Sequence, residues 1–335
     1  MLGGLSPRAF LRRYWQKRPL FVPQALPGFA GATDKRALAA LALRDDVESR
    51  IVERHGSRRD TRHGPFDRLV LRKKDSTLLV SGVNLHLPAV EALLRRFAFI
   101  PQARLDDVMV SYATPGGGVG PHVDSYDVFL LQGPGRRRWT FNRRSVVAVA
   151  GDLLYLPPGL RHDGVALEEC YTYSIGFRAP RGAELGAAFL DWLHERGLPD
   201  AAYLDPGLAP ALRPARIPAG MLAFCEKVLA RIRWSRADAI EFLGRYLSSP
   251  KPHVVFRPGG SRGSEVRLDA KTQLLYFGDR FFMNGESLAV RRPRLLRELA
   301  DRRRAERARL APLAGLIAQW RRAGYLHYAR KDRDG

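Results

Sequence analysis

Cysteine is nearly absent from this chain of 335 residues, which holds only Cys170 and Cys225. Two thiols cannot build a disulfide framework, so a buried apolar core must carry stability, and a reduced, cytoplasmic setting is the expectation. Long apolar runs are also missing. No stretch reaches the length that crosses a bilayer, and residues 1–5 lack the basic start and apolar core of a signal peptide, so no membrane partner is expected. Internal repeats and low-complexity tracts are absent, and 45% hydrophobic with 27% charged residues gives no sign of disorder. The length exceeds one ordinary core, which points to more than one domain.

Lysine is the other shortage. Only eight of the 56 basic residues are lysine, so 48 are arginine, and the formal net charge is +22. Such a chain is drawn to polyanions, RNA above all. Arginine-rich coding would give the same count without selection for binding. The two halves do not separate these readings: residues 1–180 carry 27 basic and 17 acidic side chains, residues 181–335 carry 29 and 17, and there is no basic tail.

Residues 6–19 open with Ser6 as a helix cap and Pro7 at the first helical position, and Phe10, Leu11, Tyr14 and Trp15 fall on one face. A strand over 20–22, helices over 33–43 and 87–99, and strands over 47–53 and 76–83 follow, with 55–74 as a polar hairpin or loop. From 108 onward short strands are bounded by glycine or proline: 108–113, 123–131, 137–141, 146–150, 152–156 and 170–177. That pattern predicts a closed or sandwiched β core. After Pro180 the text turns helical over 183–196, passes a proline-rich linker (199–220), and gives helices over 221–233 and 236–247. A hairpin over 266–283 with Asn284-Gly285 as a tight turn, and helices over 293–309 and 311–323, suggest a winged-helix-like module.

His122 and Asp124 stand two apart, so on a strand their side chains leave the same face, and the glycines at 116, 117, 118 and 120 let the backbone pass close. His162 follows the Pro157-Pro158-Gly159 turn, which would aim it back from a neighbouring strand. Two imidazoles and one carboxylate leave three octahedral positions open, as in non-haem Fe(II) oxygenases, with zinc as the rival metal. In isolation a His-x-Asp pair is an ordinary surface hydrogen-bond pair. Here Gly116 with five residues before His122 matches a first cupin motif, with Asp124 in place of a histidine, and the spacing Gly151, Pro157, Gly159, His162 matches a second. Alternation along 136–141 places Arg137, Trp139 and Phe141 on one face. If that face is the interior, Arg137 needs an anion there, and the distal carboxylate of a dicarboxylate cosubstrate would supply one. Ser111 could donate to the same carboxylate. Tyr126, on the face of His122 and Asp124, either lines a substrate entrance or packs in the barrel.

At these residues the chain resembles the JmjC-type, Fe(II)- and 2-oxoglutarate-dependent ribosomal oxygenases, nearest the bacterial branch that hydroxylates an arginine of a large-subunit ribosomal protein. The likeness runs through Tyr14 to Pro19, His63 to Phe66, Pro115 to Phe129, Gln132 to Trp139, Gly151 to Gly164 and Tyr173 to Pro180. It implies an α+β chain: a double-stranded β-helix (the cupin/JmjC jelly roll) over 1–180, a helical dimerisation segment and linker over 181–220, and a winged-helix-like domain over 221–335. It implies Fe(II) at His122, Asp124 and His162 as catalytic ligands, 2-oxoglutarate at Arg137 and Ser111, and O2 as co-reactant. It also implies a homodimer and a ribosomal protein substrate, and the basic charge suits ribosomal RNA nearby. Two departures stand out. Only eleven residues separate Trp139 from Gly151, and Thr172 occupies a cosubstrate position where an asparagine is expected. Two other readings compete: an RNA-binding protein with a vestigial cupin, and a cupin acting on a small molecule.

Overall fold

Ser6 caps its helix as expected. Its hydroxyl accepts the Ala9 amide at 3.2 Å, and Pro7 opens α1 (Pro7–Arg13). The helix stops short of residue 19 because the chain turns at Gln16, whose φ is +56°. The computed structural model describes residues 1–330 apart from Ser57, Ser261 and Arg291. After α1 come β1 (Leu20–Val22), α2 (Lys35–Ala42), β2 (Ser49–His55), β3 (Arg58–His63), β4 (Ser76–Val80) and α3 (Pro88–Arg95). The strand-rich stretch holds β5 (Leu105–Ala113), β6 (Val128–Gln132), β7 (Arg137–Phe141), β8 (Arg144–Ala148), β9 (Leu153–Leu156), β10 (His162–Ala166) and β11 (Cys170–Phe177).

These strands build two antiparallel sheets, one of eight in the order β1-β9-β6-β11-β5-β4-β2-β3 and one of three in the order β10-β7-β8. Strand parity assigns each side chain to a layer. Phe129, Leu131, Tyr173 and Ile175 face the helical side of the large sheet, where they pack with Phe10, Leu38 and Phe97. Val128 and Leu130 face the other way and pack with Trp139, Phe141 and Leu154 between the sheets. This is the cupin-like jelly roll expected. The short 140–150 connection is a hairpin: Asn142 and Arg143, with φ of +45° and +58°, form a two-residue turn between β7 and β8.

One element differs where it matters. The expected strand over 123–131 begins only at Val128. His122 keeps a single bridge to His162, with both N–H···O bonds at 3.0 Å, and 123–127 runs without ladder pairing. Side chains hold that segment instead: buried Asp127 accepts from Tyr155 Oη at 2.6 Å and Gln16 Nε2 at 3.0 Å.

The C-terminal half has α4 (Gly182–Glu195), α5 (Ala219–Leu229), α6 (Arg236–Ser248), β12 (Glu265–Leu268), β13 (Leu274–Phe277), β14 (Arg280–Met283), β15 (Glu286–Ala289), α7 (Pro293–Arg302), β16 (Arg304–Glu306), α8 (Ala314–Arg322) and β17 (Leu326–Ala329). The helix expected over 293–309 breaks at Arg303, whose φ is +56°, and the chain then pairs as β16 with β12. Asn284 and Gly285 make the tight turn between β14 and β15. Two three-stranded sheets and α7 and α8 enclose a second core around Val266, Phe281, Leu296, Ile317 and Trp320. Arg178 Nη1 donates to the Leu247 carbonyl at 2.7 Å, and Gln102 Nε2 to that of Ala300 at 3.3 Å, so this half sits directly on the jelly roll.

Candidate metal and cosubstrate site

The glycines before His122 are demanded by close backbone approach. A Cβ on Gly117 would lie 2.4 Å from the Ser76 carbonyl oxygen, and one on Gly118 would lie 2.3 Å from that of Gly164. The loop they form delivers His122 beside His162, the first residue of β10. Nε2 of His122 is 3.8 Å from Asp124 Oδ1, Nε2 of His162 is 3.6 Å from Asp124 Oδ2, and the three potential ligand atoms lie within 4.8 Å of one another. The same-face relation expected of a strand is thus achieved by an irregular segment. The Pro-Pro-Gly turn supports it, since the Gly159 amide donates to the Asp124 carbonyl at 2.8 Å.

Both imidazoles are held in one tautomer. His122 Nδ1 lies 2.8 Å from the Gly120 carbonyl and His162 Nδ1 lies 3.0 Å from that of Leu160. A carbonyl only accepts, so each Nδ1 carries a proton and Nε2 is the ring nitrogen left to meet a metal beside Asp124. Burial lowers the pKa of His162, which keeps it neutral and fit to bind a cation. Two imidazole nitrogens and a carboxylate on one side of a cavity suit a first-row divalent ion with open positions. Among the described residues no other group of three such ligands is found.

Arg137 answers the parity argument. Arg137, Trp139 and Phe141 are buried while Arg138 and Thr140 are exposed. Nε and Nη2 of Arg137 are buried without a hydrogen-bond partner among the described residues, and its guanidinium carbon sits 5.6 Å from the Trp139 ring centre. A buried cation left unpaired costs several kcal/mol, so the site is built for an anion. Arg137 shares a cavity of about 470 Å3 with His122, Asp124 and His162. That arrangement fits a small dicarboxylate gripped at one end by Arg137 and at the other by a metal.

Ser111 and Thr172 line the same cavity, paired across β5 and β11. Thr172 Oγ1 donates to Gln132 Oε1 at 3.3 Å, so its hydroxyl proton is already engaged. Thr77, not singled out in the sequence, is buried on the cavity wall with a free hydroxyl. Its inward parity on β4 was the available signal. At the mouth stand Tyr126, Glu48, Arg50, Asp106, Asp107 and Lys251. Tyr126 is 40% exposed, and burial with the nearby Asp124 charge pushes its pKa up to about 12. Lys251 arrives from the C-terminal half and pairs with Asp107 at 2.9 Å and Asp106 at 3.3 Å. Nothing local in the sequence signals that contact.

Comparison with known proteins agrees with this geometry. The JmjC domain family matches residues 92–149 and 143–185. The Escherichia coli (strain K12) "Ribosomal protein uL16 3-hydroxylase" is 33% identical over 315 residues, covering 83% of this chain and 84% of that protein. A "Probable ribosomal oxygenase" of Haemophilus influenzae is 35% identical over 209 residues, 54% of this chain and 52% of its own. Among solved structures, YcfD, a ribosomal oxygenase from E. coli in complex with cobalt and 2-oxoglutarate, aligns with a TM-score of 0.83 at 30% identity, covering 96% of this chain and 98% of that one.

Proposed function

This chain belongs to the JmjC-domain ribosomal oxygenases, and on that premise we propose that it is an Fe(II)- and 2-oxoglutarate-dependent protein hydroxylase whose target is an arginine of a large-subunit ribosomal protein. The observation that carries the reading is Arg137, a buried and unpaired guanidinium sharing one cavity with His122, Asp124 and His162. A vestigial cupin would not maintain three aligned ligands, and a small-molecule cupin leaves the C-terminal half without a role.

His122, Asp124 and His162 would hold Fe(II). Arg137 would take the distal carboxylate of 2-oxoglutarate bidentately, with Ser111 and Thr77 as hydroxyl donors and Thr172 as wall. When bound, iron with 2-oxoglutarate and O2 supplies the oxidative decarboxylation that places one oxygen on a C–H bond of the substrate. The chain contributes the rest. Gly120 and Leu160 fix the imidazole tautomers, Trp139 and Leu130 keep water from the inner end, and Tyr126 lines the entrance. An arginine substrate suits a mouth where Glu48 is exposed without an ion pair among the described residues, while Asp106 and Asp107 already pair with Lys251.

In this reading residues 1–180 are catalytic, 181–220 link and dimerise, and 221–335 form the winged-helix-like module. A homodimer is supported by Leu190, Leu208 and Ile217 in that segment, each more than half exposed, and by the unburied face of α5, which continues it past residue 220 with Leu222 and Leu229. No helix among the described residues is long and apolar enough to cross a membrane, which suits a cytoplasmic enzyme meeting its substrate beside ribosomal RNA. Mass spectrometry of ribosomal proteins from cells with and without the gene tests the proposal. One arginine should lose a single-oxygen addition when the gene is absent; identical masses would reject it.

A further inference from the structure

The charge excess is even between the halves, but inside the catalytic half it is concentrated in one stretch. Residues 54–74 hold eight basic side chains and two acidic ones, a net +6 out of the +10 carried by residues 1–180. The fold gathers them on one face. Arg62 Nη2 donates to the Val70 carbonyl at 3.4 Å and Arg72 Nη1 to that of Arg54 at 3.4 Å, which lays residues 68–74 across the β2–β3 hairpin. Arg58, Arg62, Arg68, Arg72, Lys73 and Lys74 are all exposed there. The opposing charge is slight: Asp60 lies 2.9 Å from Arg58, and mostly buried Glu53 lies 3.8 Å from Arg62. β3 ends its sheet, so nothing among the described residues pairs with its outer edge.

The hairpin also touches the metal site. On its inner face Arg54 Nη1 donates to the Gly116 carbonyl at 2.9 Å, the Arg59 guanidinium lies against Gly120, and Arg50 lines the cavity. The outer face is therefore one hairpin's thickness from the loop that carries His122.

We infer that the outer face of the β2–β3 hairpin, with residues 68–74, binds the phosphate backbone of RNA beside the active-site mouth. The inference rests on the ribosomal-protein reading above and explains a conflict in it. A basic protein should be repelled by a chain of net charge +22. The charge is partitioned instead: exposed Glu48 at the mouth, without an ion pair among the described residues, faces the basic side chain, and the basic hairpin receives the RNA to which that protein is bound. RNA fits better than an acidic protein because the patch has no apolar anchor beyond Val70, whereas protein interfaces centre on desolvated aromatic and aliphatic side chains. At least four of the eight arginines in the other dense basic run, 292–309, are engaged within the fold. Arg297 pairs with Asp279, Arg302 and Arg309 pair with Glu298, and Arg303 is buried.

The test is fluorescence anisotropy of a fluorescein-labelled RNA hairpin titrated with the full chain over a range of salt. The quadruple variant Arg62→Gln, Arg68→Gln, Arg72→Gln and Lys73→Gln should bind at least about tenfold more weakly at ~0.1 M salt, with a log–log salt slope shallower by about 3. The pair Arg68→Gln and Lys73→Gln, free of ion pairs among the described residues, should lose about half of that slope change and guards against misfolding. A control variant in the C-terminal half, Arg294→Gln, Arg304→Gln and Arg322→Gln, should match the unsubstituted chain. Equal RNA affinity in the quadruple variant, or loss only in the control, overturns the inference. Lost binding to polyglutamate with RNA binding intact would assign the face to an acidic protein and overturn it equally. Hydroxylation of a free peptide, assayed separately, should be unchanged in the quadruple variant. If no peptide or protein is hydroxylated by the unsubstituted chain, the enzymatic reading fails while the RNA result stands alone.

Discussion

Arg137 is the residue on which cosubstrate chemistry and stability pull in opposite directions. Its buried Nε and Nη2 find no hydrogen-bond partner among the described residues, a liability that a bound anion would relieve. Replacing a buried charge by an apolar side chain of similar volume is commonly neutral or stabilising by about 1–4 kcal/mol. Arg137→Met should therefore melt at or above the temperature of the unsubstituted protein without ligand. It should lose the added stability that saturating 2-oxoglutarate confers, about 2.7 kcal/mol at a hundred times the dissociation constant. Thermal melts with and without 2-oxoglutarate check both halves. Gly120 is the second test at this scale. Its φ of +85° strains any side chain, a Cβ there would also push the Arg59 guanidinium aside, and its carbonyl holds His122 Nδ1. Gly120→Ala should weaken divalent metal binding about 10–100-fold, the usual cost of disturbing an outer-shell partner. Metal titration of the purified variant measures this.

At the scale of elements, legibility followed periodicity. β7 could be read side chain by side chain, because alternation alone decides which residues of a strand face the core and the pattern Arg137, Trp139, Phe141 is unambiguous. The capped start of α1 was equally local. The segment 123–127 was misread as strand because nothing adjacent in sequence announces that Tyr155 and Gln16 will hold Asp127. The break at Arg303 was hidden for the same reason. That side chain donates to the carbonyls of Thr272 and Asp269, far away along the chain. Thr77 and Lys251 were missed because a cavity wall is a sum over strands and domains. The close approach of β10 to β7 gives a direct check of the packing. A Cβ on Gly164 would lie 2.5 Å from the Trp139 ring, so Gly164→Ala should destabilise the jelly roll by about 1–3 kcal/mol through overpacking, measured by urea unfolding.

Across the whole molecule, the junction between halves carries a pH dependence. Burial, with the charges of Arg44 and Lys271, holds His86 down to about 4. Between pH 6.5 and 4 the unfolded chain binds a proton that the folded chain refuses, so stability falls as pH drops through that window. His86 is only half buried, so solvent screening should keep the slope below about 1 kcal/mol per pH unit. His86→Gln should flatten it in denaturant midpoints taken across the window. The exposed apolar side of α5 makes a separate claim. Leu222→Glu with Leu229→Glu should turn a dimer into monomers by sedimentation, leaving the melting of the jelly roll unchanged.

One cavity joins a metal-binding triad to an anion-binding arginine. Calorimetric titration of 2-oxoglutarate into the protein loaded with Fe(II), without oxygen, tests that most directly. One molecule should bind per chain, binding should vanish in His162→Ala, and it should weaken at least about tenfold in Arg137→Ala, the loss of a charge-assisted bidentate contact. Equal binding by all three proteins, or binding indifferent to the metal, would contradict the account.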